Sequence, residues 1–239
     1  MIDVEVLATG SKGNCYLLTS GEKRILLDCG LSYKKTLKLL DFKLPTAVLV
    51  THEHKDHATA AVDFIKHGVD VYMTCGTAMA LGLEENHRLH LIEVEELFSV
   101  GHLAVMPCEN FHDAAEPVKF AVHDFEDGVF YVTDTGNLFG LDFARADDAT
   151  KILLETNFSE ETLQNSTIDP KLKQRILENH LSVEKAAKFL EEIDLSACKE
   201  IYLIHISARH GDGEEFKNLI QKVVGEKIKV IVAKNKELA

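Results

Sequence analysis

A short apolar segment that ends in a run of metal-ligand residues constrains this chain most, in the stretch Ala-Val-Leu-Val-Thr-His-Glu-His-Lys-Asp-His at 47–57. Residues 47–50 are small or β-branched and predict a buried strand, and open α/β sheets place their chemistry at the carboxyl ends of such strands. His52 and His54 are two residues apart, so an extended backbone puts both imidazoles on one side. The turn into the following helix brings Asp56 and His57 to a second point nearby. A lone histidine is usually structural, but this cluster predicts a metal site.

The other candidate ligands also follow predicted strands. His112 lies in the loop after 103–107, Asp134 comes directly after 129–133, and His205 comes directly after 201–204. Imidazole and carboxylate together suit Zn, Mn and Fe, and a ligand set of this size can serve two ions about 3.5–4 Å apart. The remaining histidines considered lack this context and are predicted to be surface or structural residues: His67, His87, His90, His102 and His123.

Composition and charge limit the class of protein. The 239 residues are 46% apolar, which is enough for a sizeable core, and they contain no internal repeat or low-complexity linker, so we expect one domain over 1–239. No apolar run approaches the roughly 18 residues of a membrane span, and the N-terminus lacks the pattern of a signal peptide. The five scattered cysteines favour reduced, buried thiols in the cytoplasm. The sequence makes no prediction of oligomeric state.

The net charge of −13 counts against a protein that coats nucleic acid non-specifically. It does not exclude an enzyme that acts on nucleic acid, because two divalent cations would add about four positive charges to the cleft. Basic residues also cluster, and each cluster is either a phosphate-binding surface or a solvated helix face. The clusters are Lys34, Lys35 and Lys38, and Lys171, Lys173 and Arg175.

Alternating strand and helix patterns predict a layered α/β domain. Strands are predicted over 4–8, 15–19, 25–28, 47–50, 69–74, 103–107, 118–122, 129–133, 152–154, 201–204 and 228–232, and helices over 33–40, 58–67, 77–82, 171–177, 183–193 and 214–224. The turn at 9–14 has two glycines and small polar residues. This composition predicts either a turn whose backbone amides bind an anion or a tight hairpin loop.

The stretch at 47–57 resembles the signature of the metallo-β-lactamase fold. This resemblance implies a mixed α/β (α+β) architecture, a four-layer αβ/βα sandwich, with two divalent ions at the edge between its sheets. It implies Zn or Mn, with Fe as a further candidate. Carried over to this chain, it implies that one ion is held by His52, His54 and His112, the other by Asp56, His57 and His205, and both by Asp134. An acid at the position of Asp28 would orient the metal-binding loop.

The chain also resembles the YycJ (WalJ) group of DNA exonucleases within that fold. The matching segments are 9–18 (Thr-Gly-Ser-Lys-Gly-Asn-Cys-Tyr-Leu-Leu), 27–30 (Leu-Asp-Cys-Gly), 51–57, 112–118 (His-Asp-Ala-Ala-Glu-Pro-Val), 133–136 (Thr-Asp-Thr-Gly), 155–157 (Glu-Thr-Asn), 172–176 and 180–182 (His-Leu-Ser). The chain departs from the group at Phe158 and Val183, where His and Asn are expected. Its last ligand segment, 205–210, is more similar to the RNase Z branch.

These resemblances imply a phosphodiesterase that acts on nucleic acid as a DNA 5′ exonuclease, with a metal-bridging hydroxide as nucleophile. Asp56 and His180 are the predicted catalytic residues, and His180 either protonates the leaving oxygen or merely precedes Ser182, the predicted N-cap of the next helix. Candidate substrate contacts are Ser11, Asn14, Ser207 and Arg209. The alternatives are an RNase Z-like enzyme, a hydrolase of cyclic phosphates, thioesters or lactams, and a scaffold with structural metals.

Overall fold

A computed structural model describes residues 1–138 and 141–237 of the chain. The described chain divides into two compact units, and each unit contains segments from more than one part of the sequence. The first contains Met1–Glu109, Ala114–Glu126 and the segment from Lys234 onward, and the second contains Asn110–Asp113 and Asp127–Ala233. The expectation of one domain over the whole chain therefore stays a prediction.

The first unit contains a mixed β-sheet, and one of its strands leads into the His-rich turn. Its strands, in spatial order, are β1 (Asp3–Ala8), β2 (Cys15–Ser20), β3 (Lys23–Leu27), β4 (Ala47–Leu49), β5 (Asp70–Thr74) and β6 (Leu89–Ile92). The first three are antiparallel and the last four, from β3 on, run parallel. A separate antiparallel run pairs β7 (Phe98–Val100) with β8 (Leu103–Glu109), and β8 with β9 (Val118–His123). Every residue of β4 is fully buried, as its apolar composition predicts.

The helices of the first unit are short: α1 (Tyr33–Leu39), α2 (Lys55–Ala58), α3 (Ala61–Lys66) and α4 (Cys75–Ala80). The prediction of one helix over 58–67 is wrong. The helical turn begins earlier, within the ligand cluster, because the His54 carbonyl accepts from the amides of His57 and Ala58. The helix is then interrupted at Ala60. The Ala60 amide donates to the Cys29 carbonyl at 3.0 Å, and this bond connects the turn to the segment that follows β3.

The second unit contains a parallel sheet with helical crossovers. Its strands lie in the order β10 (Gly128–Val132), β11 (Lys151–Glu155), β12 (Glu200–Ile204) and β13 (Lys229–Val232). The helices are α5 (Leu141–Asp147), α6 (Glu160–Gln164), α7 (Pro170–Asn179), α8 (Val183–Glu192) and α9 (Gly213–Val224). Parallel strands bring their carboxyl ends to one edge of the sheet. Asp134, Glu155 and His205 all follow or end strands at that edge.

The strands predicted from apolar patterns are confirmed within one or two residues at each end, while β6, β7, α5 and α6 were not predicted. Strand β7 has three residues and β6 has only one buried residue, so neither carries a clear apolar pattern. Four cysteines are buried as expected, but Cys75 is exposed because it begins α4 at the surface. No helix among the described residues is long and apolar enough to cross a membrane.

Candidate metal centre

The first unit brings four predicted ligands together in the turn after β4. His52 Nε2 lies 3.1 Å from His54 Nδ1, and the His52 and His57 rings are 4.3 Å apart between centroids. His57 Nε2 lies 3.7 Å from Asp56 Oδ2. Imidazole and carboxylate groups at this spacing form a donor set that fits a divalent transition-metal ion.

A buried carboxylate, Asp28, supports this turn from the end of β3. Its oxygens accept from the Thr51 amide at 2.8 Å and from the Thr51 hydroxyl at 3.0 Å, and Oδ2 lies 2.7 Å from His57 Nδ1. A carboxylate can only accept here, so His57 carries its proton on Nδ1 and presents the Nε2 lone pair. Asp28 is fully buried and has a positive φ of 58°, a conformation that is uncommon for non-glycine residues.

The glycine-containing turn at 9–14 packs against the same ligand turn. Asn14 Oδ1 accepts from the Gly10 amide at 2.9 Å and from the Tyr16 hydroxyl at 3.2 Å, while Asn14 Nδ2 faces His57 Nε2 at 3.0 Å. The Asn14 side chain is fully buried and contacts the His57 ring, and the substrate contact expected at Asn14 stays a prediction. Ser11, on the same turn, is exposed and stays a candidate substrate contact.

In the second unit Asp134 lies between two histidines. Its Oδ2 is 3.5 Å from His112 Nε2, and its Oδ1 is 3.3 Å from His205 Nδ1. Asp134 and His205 have positive φ values of 46° and 52°, which point their side chains away from the course of their strands. Each carboxylate oxygen therefore faces a different imidazole.

Backbone contacts within the second unit fix these side chains. Asn110 Nδ2 donates to the carbonyls of Thr133 and Asp134, at 3.2 and 3.0 Å. His112 Nδ1 donates to the Asn179 carbonyl at 3.0 Å, which leaves its Nε2 as the acceptor or ligand atom. Burial lowers the pKa of His112, although the nearby Asp134 charge opposes that shift. The neutral imidazole is the form that binds a metal ion.

Glu155 is a candidate site residue to which the sequence reasoning gave no role. It ends β11 and is fully buried; its Oε1 lies 2.8 Å from His180 Nδ1 and 3.1 Å from His205 Nδ1. Its Oε2 accepts from the amides of Thr135 and Leu181. Burial raises the pKa of Glu155, but the charge of His180 and the two imidazole hydrogen bonds outweigh it, and the pKa lies below its usual range. Its place at a strand end, shared with Asp134 and His205, is the signal that identifies it.

His180 lies at the end of α7 and beside this cluster. The side chains of Asp134, Glu155, His180 and His205 offer ligand atoms within 4.8 Å of one another. Burial lowers the pKa of His180, but the charge and hydrogen bond of Glu155 outweigh it, so the pKa lies above its ordinary value. The predicted cap is confirmed, because Ser182 Oγ accepts from the Lys185 amide at 3.1 Å. His180 also contacts Glu155 through its ring, and its catalytic role stays a prediction.

The other predicted contacts vary in accessibility. Ser207 Oγ accepts from the amides of Arg209 and His210, both at 3.3 Å, so this hydroxyl is used within its own turn, whereas the Arg209 side chain is exposed. Lys34, Lys35 and Lys38 are exposed on α1. Lys173 donates to the carbonyls of Gln164 and Ser166 and is therefore engaged in the fold.

Comparison with known proteins identifies the family and the fold of this chain. Residues 23–206 match the family described as the Beta-lactamase superfamily domain. Exodeoxyribonuclease WalJ of Streptococcus pneumoniae serotype 2 is 32% identical over 216 residues, which cover 84% of this chain and 80% of the relative. Exodeoxyribonuclease YycJ of Bacillus anthracis is 32% identical over 238 residues, 93% of this chain and 89% of the relative. The crystal structure of the metallo-beta-lactamase fold protein YhfI from Bacillus subtilis superimposes with a TM-score of 0.76 at 16% identity, over 98% of each chain. That likeness confirms the fold predicted from the ligand motif.

Proposed function

Because the chain belongs to the beta-lactamase superfamily, whose fold binds divalent metal ions and carries hydrolases, we propose that it is a dinuclear phosphodiesterase that degrades DNA from a 5′ end. The names of its 32% identical relatives support a nuclease with a nucleic-acid substrate. The observation that carries the proposal is the His180–Glu155 pair beside Asp134 and His205. A diester with a poor leaving group needs a proton donor, and this pair supplies one.

We assign two divalent ions, Zn or Mn with Fe as a further candidate, to the seven ligands expected from the sequence. His52, His54 and His112 would hold one ion, Asp56, His57 and His205 would hold the other, and Asp134 would serve both. The contacts within each unit support this assignment, since Asp28, Asn179 and Glu155 each hold a ligand imidazole through Nδ1. When bound, two such ions supply an activated water and polarise the phosphoryl oxygen.

The chain's own residues supply the proton for the leaving oxygen. Glu155 holds His180 at Nδ1, so the proton available for transfer is the one on Nε2. The same carboxylate raises the pKa of His180 and so favours the protonated ring. His180 is thus the proposed general acid, Glu155 is its positioning residue, and Asp56 is the proposed catalytic ligand that orients the attacking water. General acids of this kind contribute roughly 10²–10⁴-fold.

Digestion of end-labelled strands tests the proposal. Protein stripped of metal and reloaded with Zn or Mn is incubated with single- and double-stranded DNA and RNA, each labelled at the 5′ or the 3′ end. We expect immediate release of labelled mononucleotide from 5′-labelled DNA, and a ladder of shortened strands from 3′-labelled DNA. Cleavage of RNA alone would support the RNase Z-like alternative. Turnover of cyclic phosphates or thioesters with no strand cleavage would support a small-molecule hydrolase and contradict the proposal.

A further inference from the structure

Arg175 on α7 forms an ion pair next to a proposed metal ligand. Its Nε donates to Asp113 Oδ2 at 2.7 Å, and the other oxygen of Asp113 lies 3.4 Å from His112 Nε2. All three residues belong to the second unit. The guanidinium is therefore separated from the ligand atom of His112 by a single carboxylate group.

The exposure of this pair argues against a purely structural role. The Arg175 side chain is 59% exposed and that of Asp113 is 37% exposed, and ion pairs at such sites contribute little to stability. Within the described residues, Asp113 is the hydrogen-bond partner of the Arg175 side chain, and it uses one of the five donors of the guanidinium. In the part of the chain that the structure describes, the four donors on its two terminal nitrogens form no hydrogen bond. A planar fork of this kind matches the geometry of a phosphate group.

The neighbouring basic residues of α7 do not share this arrangement. Lys173 donates to two carbonyls and is fastened to the segment after α6. Lys171 is exposed at the start of α7, and across the described ranges its amine forms no hydrogen bond or ion pair. Of the cluster predicted from the sequence, Arg175 is thus the member that contacts the environment of a metal ligand.

We propose that Arg175 binds the phosphate adjacent to the cleaved diester, and that Asp113 occupies the guanidinium until the nucleic-acid strand arrives. The inference rests on the proposed function, because it requires a substrate with more than one phosphate. The strand's phosphate replaces the carboxylate on Arg175, and Asp113 is released toward the solvent that already reaches it. Asp113 then competes with the phosphate of the strand for Arg175 and so weakens strand binding. Arg175 is a specificity residue that favours strands over single diesters.

Three variants of the metal-loaded full chain test this proposal: Arg175→Gln, Asp113→Asn and the matched control Lys171→Gln. The dissociation constant for a single-stranded phosphorothioate DNA oligonucleotide is measured at several salt concentrations. Turnover of bis-p-nitrophenyl phosphate, which has one phosphate, and metal content are measured beside it. We expect Arg175→Gln to weaken strand binding by about ten-fold or more and to reduce the salt slope by roughly 0.7, without loss of diester turnover or metal. Lys171→Gln should leave all three measurements near wild type.

Asp113→Asn separates the two roles of the pair. Removing a competitor tightens strand binding, whereas removing a structural support weakens it in the same way as Arg175→Gln. The proposal is overturned if Asp113→Asn and Arg175→Gln both lose metal and diester turnover, or if Arg175→Gln leaves the salt slope unchanged. Wild-type protein that hydrolyses the diester but cleaves no strand would contradict the proposed nuclease function, while the binding measurement would still decide the role of Arg175.

Discussion

The two units carry their candidate ligands in different ways. In the first, His52, His54, Asp56 and His57 lie within one turn after β4, so chain connectivity itself holds them together. In the second, His112, Asp134 and His205 come from separate loops, and the strand order of the sheet brings their side chains together. A local cluster is visible in a sequence, whereas a distributed one depends on the fold.

Both units nevertheless use the same supporting device. A buried carboxylate at a strand end, Asp28 in the first unit and Glu155 in the second, contacts a candidate ligand histidine at Nδ1 and accepts from at least one backbone amide. The difference is that Glu155 also contacts His180. We infer that the first unit specialises in binding metal, while the second combines metal binding with proton transfer.

Removal of His180 should have the largest effect on activity. We expect it to impair proton transfer in the second unit and to leave metal binding intact. His180→Ala should retain metal yet lose roughly 10²–10⁴ in kcat on a DNA diester, because the leaving oxygen departs without a proton. On bis-p-nitrophenyl phosphate, whose leaving group needs no proton, the rate should lie much nearer wild type. His67→Ala, an exposed histidine of the first unit, is the control and should be unaffected. Equal losses on both substrates would show that His180 supports the fold or positions phosphate.

Substitution of the two supporting carboxylates, Asp28 and Glu155, should have the next largest effect and tests the difference between the two units. Asp28→Asn should lower metal affinity by about 10–100-fold, since such partners orient the ligand imidazole and raise its basicity. Glu155→Gln should do the same and in addition lower kcat on DNA more than on the activated diester. Metal titration and steady-state kinetics on both variants provide the measurement. Identical kinetic profiles for the two variants would remove the distinction between the units.

Glycines at close backbone approaches test the rigidity of each unit. A Cβ on Gly30 would lie 1.7 Å from the Asp56 carbonyl oxygen, and one on Gly136 would lie 1.8 Å from the Glu178 carbonyl oxygen. Each Gly→Ala change should cost about 1–3 kcal/mol of unfolding free energy, because neither backbone can move without displacing a functional segment. Gly30→Ala should mainly lower metal affinity. Gly136→Ala should mainly lower kcat, because the displaced segment leads directly to His180.

Alanine at Gly82, where a Cβ would meet nothing within 4 Å, is a control for substitution at a surface glycine. Its positive φ of 64° adds some strain, so a small loss of stability is expected there. Denaturant unfolding that ranks Gly82→Ala as the most damaging of the three would contradict the role given to the close approaches.

Two threonines next to these sites should differ in their effect on stability, and the smallest effect of all is expected at Thr156. Thr51 Oγ1 donates to Asp28, so Thr51→Val should cost about 1–3 kcal/mol by leaving that carboxylate short of a donor. Thr156 Oγ1 is buried and has no hydrogen-bond partner among the described residues. Thr156→Val should therefore be neutral or slightly stabilising, within about 0.5 kcal/mol. Thermal unfolding of both variants distinguishes them, and a clear loss in Thr156→Val would reveal a partner for that hydroxyl.

The same contrast explains what the sequence could reveal. The spacing from His52 to His57 indicates shared ligands with no knowledge of the fold. The pairing of Glu155 with His180 and His205 spans 25 and 50 residues, and no local pattern encodes contacts of that range. The helix break at Ala60 was missed because it depends on a tertiary hydrogen bond to Cys29. Apolar strands were predictable because burial on both faces leaves a continuous apolar run.

Metal stoichiometry tests most directly the central claim that the ligands of both units bind ions. Purified chain saturated with Zn or Mn and freed of excess ion is analysed for metal per protein, together with His57→Ala and His112→Ala. We predict two ions per wild-type chain and a loss of metal in each variant, because each removes a ligand contributed by a different unit. One ion or none per wild-type chain, or full metal content in either variant, would contradict the assignment.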